Sequence, residues 1–91
     1  MKLGCISSHA RIRMKQRNIP HQALEVLFAV GQVRNAEHGG KVVYFGHSGR
    51  SHLARTLPAP EARHWAHLYA VLDVRDEVIT VGHRSKRGSR H

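Results

Sequence analysis

The chain is short of aromatic residues, cysteine and acid. Phe, Tyr and Trp together make 5% of its 91 residues, so stacking platforms for unpaired bases are thinly supplied. A single cysteine, Cys5, cannot close an intramolecular disulfide, which excludes the disulfide-framed secreted mini-proteins and points to the reducing cytoplasm. No apolar run approaches the roughly 18 residues of a membrane helix, and MKLGCISSH offers too short an apolar stretch for a signal peptide. The expectation is a soluble cytoplasmic chain that does not engage a membrane.

Acid is outnumbered: fifteen Lys and Arg stand against six Asp and Glu, a formal net charge of +9, with nine histidines able to add more below neutrality. Such a surface attracts polyanions, nucleic acid or an acidic protein, through a term that needs no specific contact. The length suits one domain with a thin core, since so short a chain buries only a little over half of its unfolded surface. We read that domain over residues 1–85, followed by a basic tail over 86–91 that has no apolar residue with which to order itself.

Local patterns give an α+β chain with two or three helices and about four strands. Ser7 and Ser8 are N-cap candidates for a first helix. Pro20 suits the first turn of a second helix, where Ala23, Leu24, Leu27, Phe28 and Val30 form an apolar face and Gly31 offers a left-handed stop. Strands are predicted near 32–37 and 41–46 around a two-residue Gly39-Gly40 turn. SGRSHLARTL returns to helical spacing, although an extended course fits almost as well, before Pro58 and Pro60 break it. HLYAVLDV and EVITVGH, joined through Arg75-Asp76, are expected as neighbours at the centre of the sheet.

The candidate chemistry falls in two groups. On the first helix His9, Arg13 and Arg17 recur every four residues as a polar row beside an apolar stripe of Ile6, Ala10 and Met14. Like charges at that spacing repel, and no acid occurs before Glu25, so an anion or a distant carboxylate is wanted. Arg11 and Lys15 read as solvated charges, and for His9 a plain first-turn role weighs as much as a catalytic one. The second group closes the chain: Thr80, His83 and Arg84, then Lys86 and Arg87. Strict alternation puts Val78, Thr80 and Gly82 on one face and Ile79, Val81 and His83 on the other.

Metal chemistry finds little support. His64 and His67 have helical ligand spacing, but no carboxylate or cysteine completes a set. The acids Asp73, Asp76 and Glu77 crowd one turn instead of converging as a two-metal site requires. No glycine-rich loop precedes a helix to cradle a phosphate, so no small-molecule cofactor is expected.

The combined pattern, Ser7-Ser8-His9-Ala10, Arg13-Met14, Gln16-Arg17, Ile19, Leu24-Glu25, Gly31 and Val78 to Arg84, resembles the small bacterial family called domain of unknown function 4258. The likeness spans both ends of the chain, while GHSGRSHLARTLPAPEARHWAH resembles a basic insert found in part of that family. Through it the chain is similar to the RelE/ParE toxin-like superfamily. That resemblance implies two N-terminal helices packed on an antiparallel sheet of about four strands, beside which the helical spacing of SGRSHLARTL allows a short third helix, and it implies a role for His9, Arg13, Arg17, Thr80, His83 and Arg84.

Three functions follow as expectations. The first is a metal-independent endoribonuclease of a toxin-antitoxin pair, with His9 and His83 as acid and base and with Arg13, Arg17, Thr80, Arg84, Lys86 and Arg87 binding RNA phosphates. The second is a non-catalytic basic module for nucleic acid or an acidic protein. The third is a toxin that inhibits a protein target. RNA and an acidic antitoxin are the expected partners, and a growth defect without RNA decay would single out the third reading.

Overall fold

The computed structural model describes residues 1–84. Within them lie helices α1 (Ser8–Gln16), α2 (His21–Val30), α3 (His47–Thr56) and α4 (Ala59–Trp65), and strands β1 (Gln32–Asn35), β2 (Lys41–Tyr44), β3 (Leu68–Leu72) and β4 (Val78–His83). The strands form one antiparallel sheet in the order β1-β2-β3-β4. The fold class is therefore α+β, with one helix beyond the two or three expected. The proposed tail 86–91, with Lys86 and Arg87, lies outside the described residues.

Helix α1 starts where Ser7 accepts a hydrogen bond from the Ala10 amide through its hydroxyl at 3.1 Å. It stops in a Schellman arrangement: Asn18 turns left-handed (φ 59°), its amide donates to Lys15, and the Ile19 amide donates to the Met14 carbonyl at 2.8 Å. The chain before α1 is tied to β4, because the Val78 amide donates to Cys5 and the Ser7 amide to Val78, both at 2.9 Å. A parallel bridge between Ile6 and Val78 results. Ala10, with no exposed surface, lets α1 settle closely along β4.

The core lies between the helices and one face of the sheet. Leu24, Leu27 and Phe28 of α2 meet Val43 and Phe45, Leu53 of α3, Leu68, Ala70 and Leu72 of β3, and Val78 and Val81 of β4. Burial of each large side chain contributes about 1.5–3 kcal/mol. Cross-strand pairing puts Leu68, Ala70, Val43, Val81 and His83 on this helical face, and Tyr44, Tyr69, Val71, Thr80 and Gly82 on the opposite one.

Five expectations are corrected. Ile79 is an extra residue between Val78, paired with Leu72, and Thr80, paired with Val71. This bulge switches the phase of β4, so Val78 is buried with Val81 while Ile79 is exposed. Strand β4 also forms an edge of the sheet, so of the two strands expected at its centre only β3 is interior. The Gly39-Gly40 turn is longer than two residues: the strands end at Asn35 and resume at Lys41, joined through a 3₁₀ turn with His38 and Gly39 at positive φ. Helix α3 does end at Thr56 ahead of the prolines, but Pro60 is no part of that break: it sits in the first turn of α4, where its missing amide costs nothing.

Gly31 is the fifth. Its backbone is extended (φ −78°, ψ 171°), because the chain runs directly from α2 into β1. Glycine is needed for space: a Cβ would lie 2.4 Å from the Leu27 carbonyl oxygen and 2.9 Å from that of Tyr44. Both obstacles are backbone and cannot rotate away. Gly31→Ala is therefore expected to lower the unfolding free energy by about 2 kcal/mol or more, while Gly4→Ala, whose Cβ meets nothing closer than 3.9 Å, stays within about 0.5 kcal/mol. Urea titration of the two variants checks this.

Candidate active site

The ends of three elements meet on the helical face. Strand β4 finishes at His83, paired with Leu68, the first residue of β3. Just before it, α4 ends at Trp65 and a turn carries Ala66 and His67, so His64 and His67 arrive beside the end of β4. The Arg84 amide donates to the His67 carbonyl at 2.7 Å and fixes that junction. The rings of His64 and His83 stack with centroids 4.5 Å apart and planes inclined by 43°.

His83 is the half-buried member of the pair, and its Nε2 is enclosed without a hydrogen-bond partner among the described residues. Burial is the largest influence on its titration, and the nearby charges of His64, Arg17 and His67 act in the same direction; together they hold its pKa below the usual 6.5. The imidazole is thereby kept neutral and able to accept a proton. Arg17 enters because α1, pinned by its start at Val78, runs along β4 and delivers its C-cap residue to the His83 end.

The residues singled out in the sequence are thus distributed over three places. Arg17 and His83 come together. His9 stands at the start of α1, about 12 Å along the axis from Arg17, and its Nε2 accepts a hydrogen bond from Arg13 Nε at 3.4 Å. Thr80 and Arg84 belong to the opposite face, where the Arg84 guanidinium lies 5.8 Å from the centre of the Tyr44 ring and that of Arg34 lies 5.4 Å from it. Lys86 and Arg87 lie outside the described residues.

The sequence reading passed over His64 and His67 as a chance metal spacing. The signal was present in the hairpin itself, because antiparallel pairing places whatever precedes β3 beside whatever ends β4. Among the described residues no three His, Cys, Asp or Glu side chains are grouped to hold a metal ion. The crowded acids serve their turn instead: Asp73 Oδ1 accepts from the amides of Arg75 and Glu77 at 2.9 and 3.0 Å, and Asp76 pairs with Lys41 at 2.9 Å.

A depressed histidine pKa has a definite consequence for stability. Protonating His83 costs more in the fold than in the unfolded chain, so its contribution is intact above pH 6.5 and declines as the pH falls below that value towards the lower folded pKa. The stability advantage of the native protein over His83→Gln is expected to shrink between pH 7 and pH 5. Denaturant titration across that range checks it; a difference that is constant or grows in acid contradicts the assigned environment.

No family model, curated protein or solved structure matches this chain.

Proposed function

We propose that the protein is a toxin-like, metal-independent endoribonuclease of the bacterial cytoplasm, related to the RelE/ParE superfamily. The observation that carries the reading is the His64–His83 ring pair, with Arg17 near enough for its charge to act on His83. Cleavage through the ribose 2′-hydroxyl requires a base, an acid and a cation for the charge that gathers on phosphorus, and this cluster holds all three.

In the step we assign, neutral His83 takes the proton of the 2′-hydroxyl and the freed oxygen attacks phosphorus. The bond from phosphorus to the 5′-oxygen breaks. His64 gives a proton to that leaving oxygen, so the products are a 2′,3′-cyclic phosphate and a 5′-hydroxyl. Arg17 binds the non-bridging oxygens, whose charge rises in the transition state. His64 replaces His9 as partner of His83 in this scheme, while His9 and Arg13 extend the cationic ridge that attracts the strand.

A non-catalytic role is favoured by a different observation. On the open face Arg34 and Arg84 flank Tyr44, and neither guanidinium has a carboxylate partner among the described residues. That surface suits nucleic acid, or an acidic antitoxin, without any chemistry. Binding that weakens with salt and never leads to turnover is its signature.

Purified protein incubated with RNA in chelator is expected to cleave it, and His83→Ala and His64→Ala are each expected to slow cleavage by about 100-fold or more. His9→Ala should cost less than either. Cleavage that His83→Ala leaves unchanged overturns the assignment.

A further inference from the structure

The α1–α2 turn and α4 line an open cleft of about 880 Å³, with His64 among its lining residues. Ile12, Met14, Ile19, Pro20 and Trp65 give it apolar walls, and Arg11 and Lys15 give it a cationic rim. Ile12 is 55% exposed there, which the packing of α1 does not require. The volume lies within the range of small-ligand sites, roughly 300–1,000 Å³, and a lining of apolar and cationic side chains suits a flat heterocycle attached to a phosphate.

One acid faces this cleft, Glu61. A glutamate in the first turn of α4 is favoured by the helix dipole alone. Its place among apolar and cationic side chains adds something further. It has no ion-pair partner among the described residues, although Arg11 and Lys15 line the same cleft. An ionised carboxylate is a pure acceptor with two oxygens side by side. Among the RNA bases only guanine presents two adjacent donors on its pairing edge, N1–H and the exocyclic amino group.

We propose that this cleft is the base subsite of the enzyme, and that Glu61 selects guanine. The inference rests on the ribonuclease reading, since it is His64 that connects the cleft to the reacting phosphate. The guanine ring lies against the apolar walls with its donor edge on Glu61, and Arg11 and Lys15 add their charge to the attraction for the phosphate that Arg17 binds. Arg11 and Lys15 then have a ligand to bind and are not merely solvated.

Trp65 is the only tryptophan of the chain and lines the cleft, so its emission reports occupancy without any need for turnover. Titration with guanosine 3′-monophosphate is expected to change that emission saturably, and adenosine 3′-monophosphate should bind about tenfold or more weakly. Glu61→Gln should abolish the difference. Ile12→Glu, at an exposed position that places a negative charge against the phosphate, should weaken both nucleotides. Absence of a saturable change at millimolar nucleotide, or equal affinity for the two bases in the native protein, overturns the proposal. A selective response to guanosine in a protein that cleaves no RNA supports the subsite and removes the nuclease. Cleavage without preference for guanine at the scissile position does the reverse.

Discussion

The reciprocal pairing of Cys5 and Ser7 with Val78 is the constraint on which the rest depends. Two backbone hydrogen bonds fix the start of α1 at the start of β4, and from there helix and strand run side by side. The small Ala10 lets them approach. Because α1 ends after Gln16 in a left-handed turn at Asn18, Arg17 reaches the level of His83 and no farther. Had the anchor slipped by one strand residue, the side-chain alternation of β4 would have been met by the wrong face of the helix.

Charge imbalance supplies the second part of the account. With six acids in the chain, and Asp73 and Asp76 committed to the turn before β4, few carboxylates are left to neutralise the arginines on either face of the sheet. His83 and Arg84 are consecutive yet serve opposite faces, so the end of β4 presents an imidazole to the helices and a guanidinium to Tyr44. A polyanion crossing the β4 edge would meet cations on both sides. The positive charge of this end of the molecule consequently depends less on any one ion pair than on the scarcity of acids near it.

Much of this was legible in the sequence, for reasons that can be named. The apolar rhythm of Ala23, Leu24, Leu27 and Phe28 and the Val-rich ending report burial directly, and burial is what periodicity encodes. Arg13 and Arg17 could be placed on one helix face, though not at their different distances from His83. Three features stayed hidden: the bulge at Ile79, which puts Val78 in place of Ile79 in the inward set of β4; α4, disguised by prolines that act as starters; and the partnership of His64 with His83, which depends on strand register. Gly31 does end α2, but in an extended and not a left-handed conformation, and it answers a steric demand from Leu27 and Tyr44 that only the tertiary structure creates.

The central claim is that the ends of α1, α4 and β4 form one phosphate-binding cluster. Its most direct test is an NMR pH titration of the histidine side chains with and without a 2′-deoxy oligonucleotide that cannot be cleaved through a 2′-oxygen. The account predicts that the His64 and His83 resonances move together on binding and that the His83 pKa rises, because a bound phosphate favours the charged imidazole. Unmoved His64 and His83 signals, with perturbation confined to His9 or to residues on the open face of the sheet, would contradict it.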